Sequence, residues 1–358
     1  MTAVHRRRPQ FHPLTVAGVE RLTDDAVAVT FAVPDELAEV YRFSPGQALT
    51  LRRVDDDRDE RRSYSICAPL GAPPRVGVRE VPGGYFSSWL VHDVRPGDRI
   101  DVLPPAGTFT ADLSVPGDHV FVVAGSGITP ALSLAGSVLR DGVSTVTVFY
   151  GNRRVSTVMF ADELADLKDR HGPRLQLVHV LSREPRDAEL TSGRLDGDRL
   201  RRLVGALVDA PAVDHWWLCG PHGMVTDARE LLAELGVPGE RVHQELFFVD
   251  DLPPEPVRGD EQTVQGPSAE VTVVLDGRTT TLALPRDVPV LDSAQQVRGD
   301  LPFACKGGVC GTCRARVTAG EVTMRRNYAL EAAEVEAGYV LTCQTLPLSE
   351  RVTVDFDA

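Results

Sequence analysis

The stretch Cys305-Lys-Gly-Gly-Val-Cys310-Gly-Thr-Cys313, followed thirty residues later by Cys343, decides the organisation of this chain. Its spacing, C-x4-C-x2-C with a distant fourth cysteine, is typical of plant-type 2Fe–2S sites. Four thiolates have to surround a compact core of two irons and two sulfides. A tight loop would supply three of them, and a later segment would close the site. We therefore predict metal ligands at Cys305, Cys310, Cys313 and Cys343.

Three glycines are expected to shape this loop. Gly307, Gly308 and Gly311 can adopt positive φ angles and bring backbone N–H groups close to the sulfurs. A structural zinc site is an alternative, but zinc sites usually pair two C-x2-C knuckles, and here Cys310 and Cys313 form a single one. A Rieske centre requires two histidine ligands, and this segment contains none.

Composition and charge narrow the class of protein. A length of 358 residues predicts two or three domains, and the net charge of −13 argues against nucleic-acid binding. No apolar run approaches the length of a membrane span, and no secretory signal is visible, so we expect a cytoplasmic protein with no membrane partner. In a reducing cytosol, the clustering of four of the six cysteines near the end of the chain indicates metal binding rather than disulfides.

The chain divides into regions with different sequence patterns. Residues 11–115 have short β-rich runs punctuated by Pro-Gly pairs, which predicts a small antiparallel β-barrel. Residues 116–248 alternate apolar strands with helical patterns, which predicts a parallel α/β sheet. Residues 249–268 are rich in proline and polar, and are expected to form a linker. Residues 269–358 open with a pattern that predicts a hairpin, with Asp276-Gly277 as its tight turn, and they carry the cysteines.

A glycine-rich turn lies in the α/β half. The run Gly125-Ser-Gly127-Ile-Thr129-Pro130 follows a buried strand and opens a helix. Gly125 and Gly127 would let the backbone approach a pyrophosphate, which the helix N-terminus then faces. Pro130 suits the first helical turn, where its missing N–H costs nothing. Alone, a G-x-G run is a weak signal, and an ordinary βα turn is the alternative.

A second motif ends another strand of the same half. It is the run Cys219-Gly220-Pro221-His-Gly-Met224. Ligands bind at the carboxyl ends of parallel strands, so this motif and the glycine-rich turn should share one rim of the sheet. That co-location would make both of them parts of a nicotinamide site. The alternative for Cys219 is a small buried residue at a strand end.

Hydrogen-bond donors follow two further strands on this rim. They are Arg153, after the strand that contains Tyr150, and the pair Ser182 and Arg183. A 2′-phosphate requires a cation, whereas a bare ribose usually meets a carboxylate. The sequence thus favours NADPH over NADH, although Glu184 next to the pair favours NADH, and a solvated loop arginine is an alternative.

Two short runs in the β-rich half draw attention, Arg62–Ser65 and Gly83–Leu90. By composition alone they are a solvated arginine, a strand aromatic and a glycine turn. Taken with the two motifs of the α/β half, however, they complete a series. It resembles the motif series of the ferredoxin–NADP reductase superfamily, and it consists of Arg62-x-Tyr64-Ser65, Gly84-x-x-Ser87, Gly125-x-Gly127-x-x-Pro130 and Cys219-Gly220-Pro221.

The resemblance implies roles for these residues. Arg62 would bind flavin phosphate, Tyr64 would pack on the isoalloxazine, and Ser65 would hydrogen-bond near N5. Gly84–Ser87 would hold the pyrophosphate of FAD at a helix N-terminus, and Cys219 would lie by the nicotinamide, which makes Tyr64, Ser65 and Cys219 the implied catalytic residues. The implied cofactor-binding set is Arg62, Tyr64, Ser65, Gly84, Phe86, Ser87, Gly125, Gly127, Thr129, Pro130, Arg153, Ser182, Arg183, Cys219, Gly220, Pro221 and Met224.

The order of flavin-binding barrel, NAD(P)-binding α/β domain and C-terminal β-grasp (α+β) ferredoxin domain is that of oxygenase reductases. The runs Phe303–Cys313, Met324–Leu330 and Ala337–Cys343 resemble the reductase components of phenylacetyl-CoA epoxidases. The reductases of 3-ketosteroid 9α-hydroxylases share the layout, and a reductase of such an enzyme or of another ring-hydroxylating oxygenase is the alternative. The resemblance thus implies FAD, NADPH and a 2Fe–2S cluster, which pass electrons to an oxygenase.

Oxygen chemistry is expected on that partner, because the sequence shows no carboxylate–histidine di-iron pattern. A nicotinamide donates two electrons as hydride and a 2Fe–2S cluster accepts one, so a flavin between them is required. A hypothesis of another class is a non-enzymatic iron–sulfur binding or redox-sensing protein in which the α/β half is vestigial.

Overall fold

The computed structural model describes residues 10–55, 58–184, 188–247, 267–330 and 332–358. None of the helices in these ranges combines the length and the apolar character needed to cross a membrane.

The described chain forms two compact units. The first contains the chain up to Arg53 together with Ser63–Phe247, and the second contains Val54–Arg62 together with the C-terminal part from residue 267 onward.

A six-stranded antiparallel sheet opens the chain, with the order β4-β3-β6-β1-β2-β5. An isolated antiparallel bridge between Ile66 and Val76 joins the chain just after β4 to β5, so the two ends of the sheet approach each other. This arrangement confirms the expected barrel. One helix, α1 (Tyr85–His92), connects β5 and β6. The strands are β1 (His12–Thr23), β2 (Ala26–Ala32), β3 (Ala48–Asp55), β4 (Arg58–Ser65), β5 (Arg75–Arg79) and β6 (Arg99–Val102).

Strand β2 shows why its apolar run is continuous rather than alternating. Val27, Val29 and Phe31 lie in the core of the barrel. Ala26 and Ala28, which point the other way along the strand, lie in a second buried cluster that includes residues of the following α/β region. Both faces of the strand are therefore buried, and the barrel and the α/β sheet pack together within the first unit.

The α/β region is a five-stranded parallel sheet with the order β11-β10-β7-β8-β9. Helices cover both faces, as the two central tryptophans show: Trp216 and Trp217 of β10 are fully buried in different clusters. The predicted parallel α/β sheet is confirmed. Its strands are β7 (Asp118–Ala124), β8 (Thr145–Asn152), β9 (Leu175–Leu181), β10 (His215–Gly220) and β11 (Val242–Leu246), and its helices are α2 (Ile128–Val138), α3 (Ala161–His171), α4 (Gly197–Leu207) and α5 (His222–Glu234).

The second unit contains a mixed sheet with the order β13-β12-β18-β14-β16 and a two-stranded sheet of β15 and β17. The predicted hairpin turn is present, since Asp276 and Gly277 both have positive φ angles of 53° and 67°. The elements are β12 (Ser268–Leu275), β13 (Arg278–Pro285), α6 (Val290–Ala294), β14 (Arg314–Ala319), β15 (Val322–Met324), α7 (Ala332–Glu336), β16 (Tyr339–Leu341), β17 (Thr345–Pro347) and β18 (Arg351–Asp355).

The domain boundaries stay predictions. The boundary at residues 115 and 116 falls between β6 and β7. Of the predicted linker 249–268, residues 249–266 lie outside the described residues, and Ser268 already belongs to β12.

Candidate functional site

The four clustered cysteines lie near one another in the second unit. Cys313 and Cys343 are buried, whereas Cys305 and Cys310 are partly exposed, and all four are free thiols. Backbone groups of the loop face the sulfurs: the N–H of Cys305 lies 3.4 Å from Cys310 Sγ, and that of Gly307 lies 3.4 Å from Cys305 Sγ. Such N–H donors stabilise thiolates, the form that binds iron.

The thiols fall into two pairs. The Cys310 thiol donates to Cys305 and, with nearby backbone N–H groups, lowers the pKa of Cys305 to about 6. The hydrogen bond to Cys305, together with burial, raises the pKa of the Cys310 thiol. The hydrogen bond to Cys343, together with burial, raises the pKa of the Cys313 thiol. No three His, Cys, Asp or Glu side chains in the described ranges form a single-ion site. Two thiol pairs are compatible with the predicted cluster of two irons, which these four cysteines would hold together.

The loop reaches its shape through a residue that we did not expect. Gly308 and Gly311 have the predicted positive φ angles of 81° and 66°, but Gly307 does not, and Lys306 has a φ of 52° in its place. An ion pair of 3.0 Å between Lys306 Nζ and Asp292 Oδ1 anchors that side chain. A non-glycine residue thus adopts the left-handed backbone at a position where its side chain is held by Asp292.

The two rim motifs of the α/β sheet lie in direct contact. A Cβ added to Gly127 would lie 2.1 Å from the carbonyl oxygen of Cys219, so the two backbones touch. Gly125 has a φ of 55°, the left-handed conformation that a glycine turn allows. Thr129 Oγ1 donates to the Ser126 carbonyl oxygen at 2.9 Å, and Pro130 is buried in the first turn of α2.

The second motif opens α5 at the same rim. Pro221 is the N-cap of this helix, and Met224 is buried in its first turn. A Cβ on Gly220 would lie 2.7 Å from Met224 Cε, the flexible end of that side chain, and 3.2 Å from the backbone nitrogen of Ala124, so the glycine lets both pack closely here. Cys219 is completely buried, and burial, assisted by the nearby Glu245, raises the pKa of its thiol well above the usual range. The rim thus presents two helix N-termini, which favour anionic groups.

Ser65 faces this rim from the barrel. Its Oγ donates to Glu245 Oε2 at 2.8 Å. Glu245 lies opposite Cys219 in the parallel register of β11 and β10. Burial raises the pKa of the Glu245 carboxyl to about 7, and the Ser65 hydrogen bond partly opposes the shift. The structure therefore gathers a hydroxyl, a thiol and a carboxyl that can hold a proton near neutral pH.

Glu245 was not predicted from the sequence. The run Val242–Leu246 carries no motif, and nothing in the sequence distinguishes its glutamate from the many other acidic residues of the chain. The one available signal was its place at the carboxyl end of a further strand, the edge where ligands bind in parallel sheets.

The glycine motif of the barrel lies at the N-terminus of α1. Gly84 is the N-cap of this helix, and a Cβ there would lie 2.7 Å from Ser87 Oγ and 2.8 Å from the Val81 carbonyl oxygen. Ser87 Oγ accepts a hydrogen bond from the Val81 N–H at 3.0 Å. Glycine and serine thus shape a tight turn that leads into a helix N-terminus, an arrangement suited to phosphate.

Aromatic residues line the same region. The rings of Tyr64 and Phe86 lie 6.1 Å apart, and Phe86 contacts Trp89 edge-on at 5.5 Å. Arg62 lies two residues before Tyr64 on β4, with its guanidinium 2.8 Å from the Glu60 carboxylate. A flavin phosphate would therefore compete with, or join, an existing ion pair of Arg62.

The loops after β8 and β9 run side by side. The N–H of Arg183 donates to the Arg153 carbonyl oxygen at 2.8 Å, so the two arginines are neighbours, and Ser182 lies on the same stretch. Both arginines are exposed. Glu184 Oε2 accepts a hydrogen bond from the Val155 N–H at 2.9 Å, which ties this carboxylate to the neighbouring loop.

A further cation lies beside the glycine-rich turn. Arg79 Nη1 is 3.4 Å from the position that a Cβ of Gly125 would take, and Arg79 Nη2 donates to the Thr157 carbonyl oxygen. Arg79 was not predicted at this site, because it ends a barrel strand far from the turn in sequence.

Family models match three successive parts of the chain. An oxidoreductase FAD-binding domain matches residues 13–111, an oxidoreductase NAD-binding domain matches 121–230, and a 2Fe-2S iron-sulfur cluster binding domain matches 273–348. A subunit of the 1,2-phenylacetyl-CoA epoxidase of Escherichia coli is 43% identical over 97% of this chain and 98% of its own. The chain belongs to the oxygenase reductases of the ferredoxin–NADP reductase superfamily.

Other members of this reductase family give the same picture. The ferredoxin reductase component of a 3-ketosteroid-9-alpha-monooxygenase from Rhodococcus rhodochrous is 35% identical over 96% of both chains. The solved structure of phthalate dioxygenase reductase aligns with a TM-score of 0.63 over 97% of this chain and 98% of its own, at 23% identity, which shows the shared fold.

The reductase therefore has FAD-binding, NAD-binding and 2Fe–2S domains, and it is an oxidoreductase. The expected barrel, parallel sheet and ferredoxin domain are confirmed. The roles of the individual site residues stay predictions.

Proposed function

We propose that this reductase passes electrons from NADPH, through FAD and a 2Fe–2S cluster, to the oxygenase of a phenylacetyl-CoA epoxidase. The observation that carries the proposal is 43% identity to the Escherichia coli protein over nearly the whole of both chains. The 3-ketosteroid reductases reach 35–36% over a similar span. We also propose a cytoplasmic location, because the four thiols must stay reduced to bind iron.

Reconstitution tests the partner. The purified reductase, NADPH and the oxygenase component of the Escherichia coli epoxidase should together convert phenylacetyl-CoA, with NADPH consumption coupled to product. The oxygenase component of a 3-ketosteroid-9-alpha-monooxygenase is the control. Coupled turnover with the steroid oxygenase alone would refute the proposed partner and leave the reductase activity intact.

The residues of the rim would organise the electron transfer. A bound flavin can accept two electrons as a hydride and release them one at a time. The N-termini of α2 and α5 would face the phosphates of the nicotinamide, and the start of α1 those of the flavin. Cys219 stays a neutral thiol because its pKa is raised. Ser65 can relay a proton to Glu245 if its Oγ takes up one proton from a bound group as it gives one away, and the Glu245 carboxyl exchanges protons near pH 7.

The nicotinamide preference rests on the adjacent arginines. We expect Arg183→Ala to raise the KM for NADPH by roughly tenfold or more, because an arginine–phosphate hydrogen bond contributes about 1.5–3 kcal/mol. NADH lacks the 2′-phosphate and should be nearly unaffected. Glu184 favours the opposite outcome: its Oε2 accepts from the Val155 N–H, but the carboxylate has further acceptor positions for a ribose hydroxyl.

Steady-state kinetics with both nicotinamides, on the wild type and on Arg183→Ala, measure this preference. Arg201→Ala, which alters an exposed arginine on α4 paired with Glu234, is a matched control. A wild-type preference for NADH, or equal damage to both cofactors, would show that the 2′-phosphate assignment is wrong.

The flavin assignment rests on Arg62. We expect FAD, and we expect Arg62→Ala to lower flavin retention after gel filtration about tenfold, because a charge-assisted contact to phosphate is lost. Arg42→Ala, which removes an exposed arginine elsewhere in the chain, should retain flavin fully. Chromatography of the heat-released nucleotide identifies it, and FMN would contradict the assignment.

A further inference from the structure

A buried amide lies directly beside the cysteine that closes the cluster site. Gln344 follows Cys343 in sequence and is 8% exposed. Its Nε2 lies 3.7 Å from Cys343 Sγ and 2.8 Å from the carbonyl oxygen of Lys306. The same NH2 group therefore contacts both the fourth cysteine and the loop that carries the first three.

The contacts fix which way the amide points. A thiolate sulfur and a carbonyl oxygen are both acceptors, so the NH2 end of the amide must face them, and the Oε1 end cannot. The residue is also held in place. Its own backbone carbonyl accepts from the Arg325 N–H at 2.8 Å, and a Cβ on Gly308 would lie 3.2 Å from its Cγ. The donor is thus pre-positioned in a site from which water is largely excluded.

We propose that Gln344 is a positioning residue that sets the reduction potential of the 2Fe–2S cluster through its hydrogen bond to Cys343. The inference deepens the proposed function and rests on it, since it requires the cluster. Reduction adds one electron, delivered from the reduced flavin, and no covalent bond forms or breaks. The added negative charge is spread over the sulfurs, so an N–H donor to a ligand sulfur stabilises the reduced state more than the oxidised state.

The donor therefore raises the potential. Removing it should make the cluster harder to reduce, while the other three cysteines and the backbone donors of the loop stay in place. A second contact, to Lys306, gives Gln344 a structural part as well, and the experiment has to separate the two.

The variant Gln344→Met keeps an unbranched side chain of similar length and lacks the donor. In a redox titration followed by electron paramagnetic resonance, we expect the oxidised-to-reduced ratio at a fixed ambient potential to rise roughly three- to tenfold, a downward shift of about 30–60 mV at 59 mV per tenfold. Iron and sulfide content should equal those of the wild type. A merely structural role would lower the cluster content and leave the potential of the remaining clusters unchanged.

The control is Thr342→Val. Thr342 is also buried, and its Oγ1 donates to the Cys313 carbonyl oxygen at 2.9 Å rather than to a sulfur. It should leave the potential within experimental error. An unchanged potential in Gln344→Met with full cluster content, or an equal shift in Thr342→Val, would overturn the proposal. Wild-type protein that contains no iron would instead refute the proposed function.

A second measurement on the wild type covers the case in which Gln344→Met does not fold. Protein labelled with 15N in glutamine side chains should show a weak 15N coupling to the reduced cluster in pulsed electron paramagnetic resonance. No coupling above background would overturn the hydrogen bond and with it the proposal.

Discussion

Cys310→Ser is expected to abolish the 2Fe–2S cluster and to stop electron delivery to the oxygenase, a loss of more than about 100-fold in coupled turnover. Cys310 pairs with Cys305, and an alcohol in its place ligates iron far less well than a thiolate. The wild type should contain about two irons and two acid-labile sulfides per chain. Flavin reduction by NADPH, followed by anaerobic bleaching, should survive in the variant, because it does not require the cluster.

Cys67→Ala is the control for the loss of a cysteine. Cys67 is buried in the first unit, donates to the Arg75 carbonyl oxygen and lies outside the predicted ligand set. Its removal should leave the iron content unchanged. Zinc in place of iron in anaerobically prepared wild-type protein would contradict the cluster assignment. Loss of flavin bleaching in Cys310→Ser would show that this variant is misfolded. The iron and bleaching measurements would then be repeated with Cys305→Ser.

The parts of the molecule that the sequence predicts well are those with local signals. The spacing of Cys305, Cys310 and Cys313 is a constraint within nine residues, and the structure gathers these thiols with Cys343. The strands of the parallel sheet are apolar on both faces and so appear as continuous runs. The turn at Asp276 required two adjacent residues that tolerate positive φ, and Asp-Gly provides them.

The parts that the sequence does not reveal depend on distant contacts. Glu245 and Ser65 form a hydrogen bond although 180 residues separate them in sequence, and no local pattern near either residue predicts it. Arg79 reaches the glycine-rich turn from a barrel strand. The positive φ falls on Lys306 rather than Gly307, and the Lys306 side chain pairs with Asp292 on another element. In each case tertiary packing, not local propensity, places the side chain.

Glu245→Gln is expected to lower cluster-dependent turnover about 100-fold, the size of effect that general acid–base catalysis contributes. The amide keeps the shape of the side chain and can still face Ser65 Oγ, but it cannot accept a proton from it. Steady-state rates at several pH values measure the effect. Because the pKa of Glu245 is about 7, the wild-type rate should rise as the pH increases through that value, and the variant should show no such rise. Ser65→Ala should cause a similar loss, and the double variant should be little worse than either, since both act on one proton path.

The stability of Glu245→Gln should increase while its turnover falls. This opposite change distinguishes a role in proton transfer from simple damage to the fold. The pKa of Glu245 is raised above its usual value of 4.5, so the folded chain holds this proton more tightly than the unfolded chain does. The associated stability is fully present below about pH 4.5 and is lost as the pH rises through about 7. At pH 8 the wild type buries a charge that Glu245→Gln lacks, and the variant should be more stable by about 1 kcal/mol, or roughly 2–4 °C in Tm. Glu240→Gln, an exposed change just before β11, should alter neither rate nor Tm. A Glu245→Gln protein that is slower and also less stable at pH 8 would show that the carboxyl supports the fold rather than the proton path.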